Sequence, residues 1–171
     1  AYVVACPLVV ACAEPDDPRE FGDLIATDDR SVWTPVSGAE DDPFVDRRPD
    51  AIECGVAGWL IEPDGSGTEV DTGRCNYLTL RQPTRLDLRR GDTLRVVFFH
   101  FDLTSATPTE GYAAVALGDE VVWSYATPIP SPAGFFQDEV VVDRRLDSGT
   151  PLYFHVDNHG QNTWVLGGVA L

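Results

Sequence analysis

The chain has 171 residues, with 28 acidic against 12 basic side chains, a formal net charge of -16, four Cys, three His and neither Met nor Lys. That length suits one compact domain with an attached segment, and 43% hydrophobic residues suffice for a packed core, so wholesale disorder is excluded. A polyanion or an anionic lipid surface needs a basic face to dock on, so nucleic acid binding and charge-driven membrane docking are excluded as well.

Residues 1–13, AYVVACPLVVACA, carry no charged side chain and read as the apolar core of an export signal. Within them Val9-Val10-Ala11-Cys12 resembles a bacterial lipobox. That resemblance implies acylation of Cys12 and an exported protein held at the bacterial cell envelope, touching the membrane only through its lipid anchor. The other reading is an apolar core strand with Cys6 and Cys12 buried or paired. Pairing them needs a chain reversal near Pro7, because six residues of strand separate Cα atoms by ~20 Å. No run of ~18 apolar residues occurs, so no helix is predicted to span a bilayer.

Residues 14–50 hold 12 acids and 4 Arg, half the net charge of the chain, together with Pro15, Pro18, Pro35, Pro43 and Pro49. This is the composition of an extended, self-repelling tether. It also suits an acidic loop folded over the domain, with Ile25, Val32, Trp33 and Val36 packing on it. Both readings stand at this point.

From Ala51 to Leu171 every strong pattern has period 2 or is a short apolar run bounded by turn residues. Strands are predicted at 58–62, 75–80, 84–88, 93–103, 112–117, 120–125, 135–142, 152–157 and 163–171. Turn chemistry separates them at Pro63-Asp64-Gly65, Arg90-Gly91-Asp92, Gly118-Asp119, Ser148-Gly149 and His159-Gly160. Nine short strands without intervening helices predict an all-β domain, an antiparallel β-sandwich of jelly-roll type. If the lipoprotein reading removes Cys6 and acylates Cys12, Cys54 and Cys75 remain as an even pair in an oxidising compartment. They are expected to form a disulfide. Neither belongs to a C-x-x-C pair, so a metal role for them is weakly motivated.

Two strands echo each other. Phe98-Phe99-His100-Phe101-Asp102 and Tyr153-Phe154-His155-Val156-Asp157 share aromatic, His, apolar and Asp positions, and His159 follows the second copy. Equivalent places would put His100 and His155 on one face, with Phe99, Phe101, Phe154 and Val156 opposite them in the core. Convergence of His100, Asp102, His155, Asp157 and His159 would make a metal site, with structural Zn or Ca as the only cofactor called for. The alternative is that each imidazole hydrogen-bonds a partner at a sheet margin, its tautomer fixed by the neighbouring Asp. The paired H-x-H of a cupin is missing.

Val70-Asp71-Thr72-Gly73 matches the aspartic protease core, but Glu69 and Arg74 break the flanking pattern and no second copy supplies the proton-sharing partner. A tight turn accounts for Arg90-Gly91-Asp92. No G-x-S-x-G, Walker A or dinucleotide glycine pattern occurs, and no catalytic residue is singled out.

The segment from Gly149 to Trp164, with Asn158 in its turn and Val165 to Leu171 after it, resembles the closing hairpin of jelly-roll, galactose-binding-like modules. Together with Asp71-Thr72-Gly73-Arg74-Cys75-Asn76-Tyr77 and Ile129-Pro130, the chain from about Glu53 to Leu171 resembles a family of predicted bacterial lipoproteins for which no activity is established. The resemblance implies the fold and an envelope location, and supplies no catalytic residue. Trp59, Trp123, Tyr125, Phe135, Phe136 and Trp164 could line a face where sugar rings stack, or could fill the core. Of these, Trp59, Trp123, Tyr125 and Trp164, with Asn158, are the ligand-binding candidates. Three functions follow: a non-catalytic, exported binding module for glycan or protein, a metal-dependent enzyme or metal carrier using His100, His155 and His159, and a structural envelope component. The binding module is the leading reading.

Overall fold

The computed structural model describes residues 21–157, 161 and 163–171. Ten strands are present among them: β1 (Thr34–Pro35), β2 (Trp59–Ile61), β3 (Thr68–Asp71), β4 (Tyr77–Pro83), β5 (Thr93–His100), β6 (Thr109–Leu117), β7 (Glu120–Ile129), β8 (Gly134–Val141), β9 (Pro151–Asp157) and β10 (Thr163–Ala170). They make two antiparallel five-stranded sheets. Sheet I runs β2-β3-β10-β5-β8 and sheet II runs β1-β4-β9-β6-β7.

The pairing shows the topology. β3 pairs with β10, β4 with β9, β5 with β8 and β6 with β7, nested ribbon pairs that alternate between the two sheets. A long antiparallel ribbon rolled over on itself gives this order, which is the jelly roll. β2 and β1 each add an edge strand. Two departures from the strand expectations have a simple cause. Thr68–Asp71 is a strand although it carries only one large apolar residue, Val70, because β2 and β10 pair with it on both sides. Residues 84–88 are not a strand. Leu88 makes only an isolated bridge to Leu146.

Between the sheets, the inward residues interdigitate. Leu94, Val96 and Phe98 of β5 and Trp164 and Leu166 of β10 meet Leu80 of β4, Val115 of β6 and Phe154 of β9, all at most 1% exposed. Each such side chain contributes roughly 1.5–3 kcal/mol on burial. Trp164 fits because Gly111 faces it. A Cβ at Gly111 would stand 2.6 Å from the indole Cζ2.

The acidic stretch, over its described residues 21–50, lies along the sandwich, so the tether alternative does not describe that part of it. Leu24 donates its N–H to Val169 O (2.8 Å) and accepts from Arg85 N (2.9 Å). Gln82 brackets Ala26 with two 3.0 Å hydrogen bonds. Leu24, Ile25, Trp33 and Phe44 are buried. A single turn of 3₁₀ helix at Arg30–Val32 packs beside Trp59, and two more at Ala39–Asp41 and Val45–Arg47 carry the chain as a strap across the outer side of sheet II. There Phe44 closes a second small core with Tyr77, Ala114, Ala116 and Tyr153. Residues 14–20, with Pro15 and Pro18, and residues 1–13, with Cys6 and Cys12, lie outside the described residues.

Candidate functional site

The structure separates the two echoing strands. β5 belongs to sheet I and β9 to sheet II, and their His residues point to opposite sides of their sheets. On β5, Phe98 and His100 face inward, while Phe99 is half-buried and Phe101 is 57% exposed. On β9, Phe154 and Val156 face inward and His155 faces outward under the strap. The expected shared face for the imidazoles is therefore corrected, and so is the expected core placement of Phe99 and Phe101. Arg95 and Thr93, two polar side chains on the same parity as Phe99, must leave the core and take Phe99 out with them.

His100 sits among Phe98, Tyr125, Phe136 and Trp164, with Nδ1 2.9 Å from Phe101 O and Nε2 3.2 Å from the Tyr125 hydroxyl. Asp102 turns away and accepts from Ala133 N at 2.8 Å. Asn158 and His159 lie outside the described residues. Among the described residues no group of three or more His, Cys, Asp or Glu is placed to hold a metal ion, so the convergence required of His100, Asp102, His155 and Asp157 is not formed.

The stacking candidates are relocated too. Trp164 (0% exposed) and Trp123 (7% exposed) belong to the core. The Trp123 indole N–H donates to Asp138 Oδ2 at 2.7 Å. Tyr125 packs at 4.3 Å from Phe136, ring centroid to centroid. Trp59 is 7% exposed, with the Arg30 guanidinium 4.1 Å above its ring. Cys54 and Cys75 are joined by a disulfide, their Cα atoms 4.0 Å apart. Gly58 lies against it so closely that a Cβ there would collide with Cys75 Sγ.

Apart from Phe21, outside the strands, the most exposed aromatic residues, Phe101 and Phe135, lie on the outer side of sheet I. One row crosses all five strands, Leu60–Glu69–Val165–Phe99–Phe135, each residue the register partner of the next. Phe135 is 67% exposed. Just past the end of β5, Phe101 continues the strip, its ring 6.2 Å from Phe99 and perpendicular to it. Phe101 also stands at the lip of a cleft of about 430 Å³ whose polar lining is Asp71, Arg74, Asp102 and Gln161. The turn after β3 sets two of these groups. Asp71 Oδ1 accepts from Gly73 N (2.9 Å) and Oδ2 pairs with Arg74 Nε (3.0 Å). Asp71 is thus a turn-forming carboxylate, held by Gly73 N and Arg74.

On the same face Glu69 has its pKa pushed up to about 7, first by burial and then by its hydrogen bond to Glu62 and the negative charges of Glu62 and Asp71. Sequence reasoning named Phe135 and Asp102 but missed Phe99, Phe101, Arg74 and Gln161 as surface groups. The parity of Arg95 on β5 was the signal for the two phenylalanines. For Arg74 and Gln161 there was none, since they meet only through the fold.

A second polar cluster lies beneath the strap. His155 Nδ1 is 2.9 Å from Thr79 Oγ1, which also stands 3.2 Å from Asp42 Oδ1, and Nε2 is 3.1 Å from Asp157 Oδ2. Arg48 pairs with Asp42, and Arg47 pairs with Asp157 while covering the Tyr112 ring at 3.8 Å. Hydroxyl, imidazole and carboxylate stand in the order of a nucleophile, its base and an orienting acid. Thr79 is 1% exposed, His155 is 0% exposed and Phe44 stacks on the imidazole at 4.3 Å. Burial lowers the His155 pKa, opposed by its hydrogen bond to Asp157. At Asp157 burial works against ionisation, but hydrogen bonds from His155 and Arg47 outweigh it and hold the carboxyl below its ordinary value. The cluster fastens the strap.

No protein-family model matches the chain, and no curated protein matches it in sequence. Among solved structures it is similar to an arabinose-bound α-L-arabinofuranosidase, at 8% identity and a TM-score of 0.46, over 87% of this chain and 25% of that one. It is also similar to a family 11 carbohydrate-binding module from Clostridium thermocellum in complex with a β-1,3-1,4-mixed-linked tetrasaccharide, at 14% identity and a TM-score of 0.46, over 90% and 96% of the two chains. A carbohydrate-binding module that recognises mannan is similar at 12% identity and a TM-score of 0.47, over 90% and 95%. The chain thus spans a quarter of the arabinofuranosidase and nearly all of each module.

Proposed function

We propose that this protein is a non-catalytic glycan-binding module and that the outer face of sheet I receives the sugar chain. The observation that carries the reading is the exposed Phe101, edge-on to Phe99 and at the lip of a cleft bearing Asp71, Arg74, Asp102 and Gln161. A pyranose ring offers an apolar C–H face and a rim of hydroxyls. An aromatic strip takes the first, and a few fixed carboxylate, guanidinium and amide groups take the second. The strip continues to Phe135, which gives room for more than one sugar unit.

With a net charge of -16 the surface repels uronate-rich and sulfated polymers, so neutral polysaccharides are the expected ligands. Export and acylation at Cys12 belong to the same proposal. The Cys54–Cys75 disulfide supports the oxidising compartment. In that setting the module would present a glycan-binding face from the cell envelope.

Affinity electrophoresis against soluble mixed-linkage glucan, mannan, arabinan and polygalacturonate tests the proposal. At least one neutral polymer should retard the protein while polygalacturonate does not. Phe101→Ala should abolish the retardation with an unchanged melting temperature. No retardation by any of the neutral polymers, or retardation unaffected by Phe101→Ala, would overturn the assignment.

A further inference from the structure

A second cleft opens where edge strands β1 and β2 approach each other, and it has a different chemistry. Its volume is about 500 Å³, within the ~300–1,000 Å³ usual for small-molecule sites. Trp59, Leu78, Ile52 and Val56 supply apolar walls, and Val56 is 95% exposed although it belongs to no strand. In a chain with 28 acidic and 12 basic side chains, the only charged residues among the described ones that line this cleft are Arg30 and Arg48.

Arg48 is already engaged. It donates to Asp42 Oδ2 at 3.1 Å and to Ser37 O at 2.7 Å. Arg30 holds its guanidinium carbon 4.1 Å above the Trp59 ring, with one 3.5 Å contact to Val56 O and no carboxylate partner among the described residues. A guanidinium over an indole face still has N–H donors free of the ring, which can pair in bidentate fashion with a carboxylate.

We infer that this cleft is a second ligand site, taking an apolar molecule that carries one carboxylate. The apolar part lies along Trp59, Ile52 and Val56, and the carboxylate pairs with Arg30. The reversal of charge sign selects against a neutral or cationic occupant, and the apolar walls select against a small hydrophilic anion. The site does not depend on the glycan face, since none of its lining residues belongs to the Phe99–Phe101–Phe135 strip or to the cleft at its end.

Calorimetric titration of the whole chain with octanoate and with octanol near neutral pH tests the inference. Octanoate should bind with one-to-one stoichiometry and at least about tenfold more tightly than octanol. Arg30→Gln should bring octanoate down to the octanol level, and Val56→Asp, at a fully exposed position, should weaken it without changing the melting temperature. Phe101→Ala should leave octanoate binding intact, which keeps failure here distinct from failure of the glycan assignment. Absence of octanoate binding up to about 5 mM, equal affinity for octanol, or an unaffected Arg30→Gln variant would each overturn it.

Discussion

His155 Nε2 stands 3.1 Å from the Asp157 carboxylate, two residues along the same strand, and the pair is roofed by Phe44 from the strap. Two proton arrangements satisfy the cluster. In neutral His155 the Nε2–H donates to Asp157 and Nδ1 accepts the Thr79 hydroxyl proton. In the imidazolium Nδ1–H donates to Thr79, whose hydroxyl turns to Asp42. Burial favours the first.

A pH dependence follows. In the unfolded chain His155 titrates near 6.5, and in the fold it lies lower. Between those values the unfolded state binds more protons, so stability falls as pH drops below 6.5 and is level above it. Asp157, held below 3.8, adds a loss of the same sign at more acidic pH. Urea unfolding at a series of pH values should show the first slope in the parent and lose it in His155→Gln.

Glu69 predicts the opposite slope. Its ordinary value is 4.5 and its folded value is about 7, so between them the folded state binds more protons and stability falls as pH rises. Glu69→Gln should therefore be more stable than the parent above neutral pH, with no gain at acidic pH. An equal effect at both ends would show that Glu69 does not hold its proton against Glu62.

The Cys54–Cys75 disulfide closes a loop of 21 residues. Such a loop constrains the unfolded chain by roughly 3 kcal/mol. The double variant Cys54→Ser, Cys75→Ser should lose about that much in denaturant unfolding, and its second cleft should lose octanoate affinity because Ile52 and Val56 flank Cys54. A loss near zero would mean that β2 and β3 hold this region without the covalent link.

Much of the fold was legible because sandwich strands write their inward face into alternation. Leu152, Phe154 and Val156 read as one buried face, and Leu94, Val96 and Phe98 as another. β3 escaped because its pairing on both sides supplies what Thr68-Glu69-Val70-Asp71 lacks in apolar bulk. The site was legible only in part. Residue type alone favoured Trp123 and Trp164 as platforms, yet large aromatics are also what a ten-strand core consumes first. The comparison of Phe99-His100 with Phe154-His155 matched letters and ignored parity, which Arg95 and Thr93 fix on β5 and Asp157 fixes on β9. Arg74, Asp102 and Gln161 come from three segments far apart in the sequence. No spacing rule could bring them together before the jelly-roll order was known.

A ¹H–¹⁵N NMR titration with a mixed-linkage tetrasaccharide and a mannan oligosaccharide would locate the proposed glycan face on sheet I. At least one of them should shift the backbone signals of Phe99, Phe101, Phe135, Arg74 and Gln161, leaving those of Thr79, Ala114 and His155 on sheet II in place. Shifts confined to sheet II, or none with either sugar, would contradict it.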